Sequence, residues 1–199
     1  MEIRTATRAK GLGELPPLSG AHIVHFYTSE AERREALLDF IQCGTDRGER
    51  TLCITEKPTD EMLQEFLQGQ DPEDGSFLSM DRRSFYLYQG VFDHDRIYRK
   101  WLELFGRSRE RGFTGVRALG DVLPELEQMA GGKAVIIYEL NINKVFQLAP
   151  PSCVVCQYDA RSFRGETLIG ILRAHPLVLK DGGVYANPLF DPSNRITSH

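Results

Sequence analysis

Polar side chains follow the ends of several predicted strands in this chain, and their types could bind a small ligand. In open α/β sheets, ligands bind beyond the carboxyl ends of the strands. Tyrosines and carboxylates that meet at this edge, hereafter the rim, would form a pocket with an apolar body and a few directing polar groups. The alternative is that these residues only cap helices where the chain leaves the core, as Asp121 would at an N-cap. The predicted ligand-binding residues are His25, Tyr27, Glu56, Asp121, Glu139, Tyr158 and Asp159.

The histidines and cysteines of the predicted strands do not have the spacing of a metal site. Residues three apart on a strand point to opposite faces, so neither His22 with His25 nor Cys153 with Cys156 can share one ion. His25 lies on the same face as Tyr27 and is a candidate for ligand contact, with a hydrogen-bonded core histidine as the alternative. We expect buried, reduced thiols, as in a reducing cytoplasm. No nucleophile lies on a recognisable elbow, so we predict no enzyme activity, no cofactor and no metal.

The turn after the first predicted strand lies where a nucleotide-binding α/β protein has its glycine-rich phosphate loop. It reads Ser29-Glu30-Ala31-Glu32 and lacks the arrangement of glycines, lysine and hydroxyl that such a loop needs. Ser29 and Glu32 instead have the spacing of a capping box, and carboxylates in the first helical turn repel phosphate. This turn therefore favours binding or sensing over phosphoryl chemistry.

The composition, with 41% hydrophobic and 26% charged residues in 199, is typical of a soluble globular protein. We predict one domain over residues 21–190, between flexible tails at 1–20 and 191–199. The net charge of -4 gives no general attraction for nucleic acid or anionic lipid. No apolar stretch reaches the roughly 18 to 20 residues needed to cross a bilayer, and no signal peptide is recognised. We expect a cytoplasmic protein that contacts neither membrane nor nucleic acid directly.

Apolar runs alternate with amphipathic stretches along the predicted domain. The predicted strands are 22–28, 51–55, 76–78, 84–88, 115–119, 133–138 and 153–158. The predicted helices are 30–46, one after Pro58, 95–111, 121–129 and 165–174, with a helix or turn at 141–148. Residues 177–179 and 184–187 are predicted to form a terminal β-hairpin. This order favours an α/β fold with a mostly parallel central sheet and helices on both faces.

Several short motifs occur in order over about residues 22 to 190. They include His25-Phe26-Tyr27, Gly44-x-x-x-Gly48-Glu49, Tyr138-Glu139, Cys156-Gln157-Tyr158-Asp159, Leu172-x-x-His175-Pro176 and Asn187-Pro188. Together they resemble the MEDS domain, the sensory module of dichloromethane-responsive and methanogen regulators. The resemblance implies a RecA- and KaiC-like fold with a degenerate phosphate-binding loop. It also implies a sensory role, proposed for small hydrocarbon derivatives.

These observations favour a non-catalytic domain that binds a small, partly apolar ligand at the rim and regulates a partner in signal transduction or transcription. The resemblance implies a partner such as a histidine kinase or a transcription regulator. No helix-turn-helix or kinase segment is recognised in the sequence, so we expect output through a partner protein or a homodimer interface.

Two alternatives remain open at this stage. The first is a protein-interaction regulator with a vestigial pocket, which would use the basic helix 95–111 and the aromatic segment 85–88. The second is a residual nucleotide-binding protein or ATPase, in which Glu56 and Glu139 would serve as general base or metal ligand.

Overall fold

A central β-sheet organises the part of the chain that the computed structural model describes, residues 20–56, 75–145 and 151–191. Its strands are β1 (Ala21–Tyr27), β2 (Arg50–Thr55), β3 (Phe77–Asp81), β6 (Val116–Asp121), β7 (Ser152–Asp159), β8 (Leu177–Lys180) and β9 (Gly183–Ala186). Two short strands, β4 (Leu87–Tyr88) and β5 (Val91–Phe92), form a separate antiparallel pair.

The described helices flank this sheet. They are α1 (Glu30–Asp46), α2 (Arg82–Tyr86), α3 (His94–Glu110), α4 (Glu125–Ala130), α5 (Gly132–Val145) and α6 (Gly165–Ala174). None of these described helices combines the length and the apolar character needed to cross a membrane.

The strand order in the central sheet is β3-β2-β6-β7-β1-β8-β9. All neighbouring strands run parallel except β8 and β9, which form an antiparallel hairpin. The first strand of the described residues, β1, therefore lies between β7 and β8, two of the last described strands. This arrangement confirms the predicted α/β fold with a mostly parallel sheet and a C-terminal β-hairpin.

Both faces of the sheet are covered, which explains the nearly continuous apolar runs of its strands. On one face, α1 packs Leu37, Phe40 and Ile41 against the sheet. On the other face, α3, α5 and α6 contribute to a larger layer. There the indole of Trp101 donates a hydrogen bond to the Tyr138 hydroxyl at 3.2 Å. Alternate residues of one strand consequently face two different environments.

The turn from α1 into β2 depends on two glycines and one buried ion pair. A Cβ at Gly44 would lie 2.2 Å from Thr51 Oγ1, so only glycine lets the helix approach the strand this closely. Gly48 has a φ of +65°, in the left-handed region that favours glycine after a helix. Glu49 then forms an ion pair with Arg117 of β6, and the two side chains are 2% and 0% exposed. The Gly44-x-x-x-Gly48-Glu49 motif thus anchors α1 to the sheet.

One predicted strand, 133–138, is wrong, and a second, 84–88, is correct only at its last two residues. Residues 133–138 belong to α5, in which buried positions such as Val135, Tyr138 and Ile142 recur three or four residues apart. Residues 84–86 belong to α2, whose N-cap Asp81 accepts a hydrogen bond from the Ser84 amide, and only residues 87–88 form a strand, β4. A short apolar run does not distinguish a strand from a buried helix, and helical packing decided both cases.

Some predictions fall outside the described residues. These are the helix after Pro58, the end of the predicted helix or turn at 141–148 and most of both tails. The predicted domain limits stay predictions.

Candidate functional site

A cleft of about 1120 Å³ lies at the carboxyl ends of the central strands. Four of the seven predicted ligand-binding residues line it, namely Tyr27, Glu56, Asp121 and Asp159. They follow or end β1, β2, β6 and β7, whose carboxyl ends meet at one edge because these strands are parallel. The rim expected from the sequence therefore exists, although with fewer members.

Asp121 is the most buried carboxylate of the cleft, with 1% of the residue exposed. The Tyr27 hydroxyl donates to its Oδ1 at 3.2 Å, and Arg82 Nη1 donates to its Oδ2 at 2.6 Å. Arg33 Nη1 lies 3.9 Å from the same Oδ2. Burial raises the pKa of Asp121, and the two guanidinium groups oppose this rise without cancelling it. Asp121 ends β6 and is not the N-cap that the sequence suggested.

Arg82 joins the buried carboxylate to an exposed one. Its Nη2 donates to Glu56 Oε2 at 3.0 Å, and the Glu56 side chain is 76% exposed. A surface ion pair of this kind contributes little stability, about 0–1 kcal/mol. Of the two contacts that Arg82 makes, the one with Glu56 is therefore the more easily replaced by a ligand.

The cleft is lined mainly by charged residues. Ten of its sixteen lining residues are charged, and only Leu37 and Pro124 add sizeable apolar surface apart from the Tyr27 ring. Several carboxylates there already have partners. Glu30 accepts from Arg33 Nε at 3.0 Å, and Asp159 accepts from Arg161 Nε at 2.9 Å. This lining suits a polar ligand better than the partly apolar one expected from the sequence.

The first turn of α1 borders the cleft, and side chains of the same turn accept hydrogen bonds from backbone amides there. Ser29 Oγ accepts from the Glu32 amide at 3.2 Å, as in the predicted capping box. The Glu32 carboxylate accepts from the Thr28 amide at 2.9 Å, one residue earlier than in the usual box. This amide is the largest cause of the lowered pKa of Glu32. Carboxylates therefore occupy the place that a phosphate would need.

His25 does not reach this cleft. It lies on the α1 face beside a smaller cavity of about 290 Å³. Its Nδ1 is 3.1 Å from Gln157 Nε2, and its Nε2 is 3.7 Å from Glu32 Oε1. Burial lowers the pKa of His25, although Glu32 opposes the change. This environment matches the alternative of a hydrogen-bonded core histidine.

Glu139 and Tyr158 also lie away from the cleft. The expectation that Glu139 follows a strand end is wrong, because it belongs to α5 and is fully buried. The Tyr158 hydroxyl donates a hydrogen bond to Glu139 Oε1. Tyr158 extends from β7 into the core on the face of the sheet opposite α1, where it meets Glu139 of α5.

Glu139 lies at the centre of four buried polar side chains, hereafter the buried cluster: His22, Glu139, Cys156 and His175. His22 Nε2 is 3.1 Å from Glu139 Oε2 and 3.4 Å from Cys156 Sγ. His175 Nε2 is 3.3 Å from the same Glu139 oxygen. One ligand atom from each residue lies within 4.8 Å of the others, so the cluster could hold a metal ion.

The alternation expected along the strands holds, since His22 and Cys156 face the buried cluster while His25 and Cys153 face α1. Sequence reasoning missed the cluster because its members come from four separate elements. The available signal was the combination of two resemblance motifs, around Cys156 and His175, with a histidine in a buried strand.

The surfaces suggested for a protein-interaction regulator are only partly present. Phe85 and Tyr86 are fully buried, whereas Tyr88 is 57% exposed beside Val91 at 61%. The aromatic segment 85–88 is thus mostly core. The outward side of α3 does carry basic residues, including the exposed Arg99.

Comparisons with known proteins place the chain in one family. The crystal structure of flagellar accessory protein FlaH from Methanocaldococcus jannaschii matches with a TM-score of 0.44 and 10% identity, over 90% of this chain and 84% of that chain. A likeness at this level bears on neither fold nor function, and the relation to RecA and KaiC stays a prediction. No curated protein matches the chain. The family described as MEthanogen/methylotroph, DcmR Sensory domain matches residues 21–176. The chain therefore belongs to the MEDS family of sensory domains.

Proposed function

We propose that this domain is a non-catalytic sensor that binds a small anionic molecule in the rim cleft and passes the signal to a partner protein. The observation that carries the proposal is the position of Arg82 between buried Asp121 and exposed Glu56. A ligand carboxylate can replace Glu56 on Arg82 and leave the contact with Asp121 in place. The Tyr27 hydroxyl donates its one proton to Asp121 Oδ1 at 3.2 Å, so its oxygen is left to accept from an N–H or O–H group of the ligand.

The overall charge of the cleft does not by itself favour an anion, because six carboxylates and four arginines line it. Arginines bind carboxylates through paired N–H donors, and Arg82 holds an exposed carboxylate that a ligand can replace. The first turn of α1 argues against a polyphosphate, because Glu30 and Glu32 lie there. We therefore propose a small organic anion as the ligand, in place of the partly apolar molecule expected from the sequence.

A route from the cleft to the surface begins at Arg82, the first residue of α2. The same helix presents the Phe85 carbonyl to Arg96 Nη2 of α3 at 3.1 Å, and the Phe85 ring lies 5.2 Å from the Trp101 ring. A ligand that repositions Arg82 would shift α2 against α3. Such a shift signals only if the ligand binds the two arrangements with different affinity. The basic outer side of α3 would then present an altered surface to an acidic partner, such as a histidine kinase or a transcription regulator.

The test is a thermal-shift screen of the purified chain with small carboxylates that also carry a hydroxyl or amino group, and with their matched neutral amides. We expect at least one carboxylate to raise the melting temperature and its amide to have no effect. The Tyr27→Phe and Arg82→Gln variants should lose this shift, because each lacks one proposed ligand contact. Arg99→Gln, on the exposed side of α3, is the matched arginine control and should keep it.

Two results would contradict the proposal. One is a carboxylate shift that is as large in Tyr27→Phe and Arg82→Gln as in the wild type. The other is micromolar binding of magnesium-ATP in a calorimetric titration, which would favour the nucleotide-binding alternative.

A further inference from the structure

The buried cluster draws its four members from β1, α5, β7 and the residue after α6. His22, Glu139 and His175 are 0% exposed and Cys156 is 1% exposed. Polar groups this deeply buried need partners that compensate for lost water. The question for this cluster is what supplies the positive charge that its carboxylate needs.

The outer nitrogens of both imidazoles are already committed as donors. His175 Nδ1 is 2.7 Å from the Ile171 carbonyl, which can only accept, so this nitrogen carries a proton. His22 Nδ1 is 3.1 Å from Asn143 Oδ1. The Asn143 amide nitrogen donates to the Ala174 carbonyl at 2.9 Å, which turns its oxygen toward His22. A neutral imidazole has one N–H, so each Nε2 then presents a lone pair to the centre of the cluster.

These lone pairs meet another acceptor. Both Nε2 atoms face Glu139 Oε2, at 3.1 Å for His22 and 3.3 Å for His175. Within the described ranges, neither Glu139 Oε2 nor His175 Nε2 makes a hydrogen bond of acceptable geometry. The Cys156 thiol, 3.4 Å from His22 Nε2, can donate its proton there, but His175 Nε2 and Glu139 Oε2 then still face each other as two acceptors in a dry interior. A metal ion at the centre of the cluster would accept the lone pairs of both imidazoles and of the Glu139 carboxylate at once.

We propose that His22, Glu139, Cys156 and His175 bind one divalent metal ion, and that their chemistry selects Zn²⁺. Two imidazole nitrogens, a thiolate and a carboxylate are all established zinc ligands. With bonds of about 2.0–2.3 Å, tetrahedral ligand atoms lie roughly 3.3–3.8 Å apart. Three of the six separations in the cluster, 3.1, 3.3 and 3.4 Å, are close to this range, and all six ligand-atom pairs lie within 4.8 Å.

The charges and the surrounding contacts also fit the ion. A thiolate and a carboxylate neutralise Zn²⁺, so the buried site carries no net charge. The Ile171 carbonyl and Asn143 orient the two imidazoles, and Tyr158 orients Glu139. Such outer contacts are usual around zinc ligands and strengthen binding.

Four protein ligands make a closed site, which is typical of structural zinc. The ion would join β1 and β7 to α5 and to the turn after α6, at a position separate from the rim cleft. This inference replaces the sequence expectation of no metal. It does not depend on the proposed ligand of the cleft.

The test is the metal content of the full chain, purified with its affinity tag removed so that tag histidines cannot bind metal. Inductively coupled plasma mass spectrometry should find about one zinc ion per chain. Cys156→Ser should lower the zinc content at least about tenfold. Cys153→Ser is the matched control, because Cys153 lies on the same strand but faces α1, and its zinc content should stay unchanged.

A second measurement needs only the wild type, in case Cys156→Ser does not fold. The chain is unfolded in denaturant with a chelator and refolded with Co²⁺. We expect a near-ultraviolet thiolate-to-cobalt charge-transfer band, which requires a cysteine ligand. The proposal is overturned if the folded wild type carries no metal and gives no such band. Loss of zinc in Cys153→Ser without loss in Cys156→Ser would overturn it equally.

Discussion

The buried ion pair between Glu49 and Arg117 allows one stability prediction to be worked out in detail. Both side chains are almost fully buried, with 2% and 0% exposure. In Glu49→Ala, the buried guanidinium loses its counter-charge, which costs about 3–5 kcal/mol for pairs of this kind. The guanidinium also lies 5.4 Å from the Phe40 ring centroid, so it cannot turn to solvent without disturbing α1 packing.

A domain is typically stable by about 5–15 kcal/mol, so the variant should fold with a much reduced margin. For a chain of this size, about 3–5 kcal/mol corresponds to a fall of about 6–20 °C in melting temperature. The free energy of unfolding is measured by urea titration with far-ultraviolet circular dichroism. Glu103→Ala is the control, because Glu103 pairs with Arg107 on the surface of α3, and it should cost about 0.5 kcal/mol or less.

The double variant Glu49→Leu/Arg117→Met separates the charge effect from a loss of packing. Well-packed apolar residues often replace a buried ion pair without net cost. We expect the double variant to recover most of the stability lost in Glu49→Ala. The reasoning is refuted if Glu49→Ala costs no more than Glu103→Ala, or if the double variant is less stable than Glu49→Ala.

Two further predictions concern the α1 side of the sheet. Gly44→Ala should lower the free energy of unfolding by about 1–3 kcal/mol, because the new Cβ would clash with Thr51. Gly106→Ala is the control and should raise the free energy of unfolding by about 0.5–1 kcal/mol, because a Cβ there meets nothing within 4 Å. Equal effects of the two substitutions in urea titrations would contradict this prediction. His25 has a pKa lowered below 6.5 by burial, despite Glu32, so its neutral form is favoured in the folded state. The stability that neutral His25 contributes is present above pH 6.5 and is lost as the pH falls through the lowered pKa of the folded state. Between about pH 7 and about pH 5, the wild type should therefore lose more stability than His25→Gln. Parallel losses in the two proteins would show that His25 does not contribute.

Helix periodicity and caps made much of the fold predictable. The predicted helix 30–46 coincides with α1, where Ser29 caps the first turn. The predicted helix 95–111 is displaced by one residue from α3, which Asp93 caps. The error at α5 arose from Val135-Ile136-Ile137, because β-branched residues in a short run are typical of strands. Packing of α5 against α3, α4 and α6 overrode that local preference.

The candidate site was predictable where it depended on strand ends alone. Tyr27, Asp121 and Asp159 end parallel strands, so the shared edge followed from the topology. Glu139 was misplaced because its element was misassigned. The buried cluster was out of reach, since the alternation rule compares residues on one strand and says nothing of pairs across elements. His22 and Cys156 lie on adjacent parallel strands, and that adjacency is a property of the strand order.

The central position of β1 affects how the protein is made. During synthesis β1 leaves the ribosome well before its two neighbours β7 and β8, which follow it by more than a hundred residues. Pairing over such distances is slow, and an uncovered apolar strand invites aggregation in the meantime. Production of this protein should therefore benefit from low growth temperature and from chaperones that shield nascent chains.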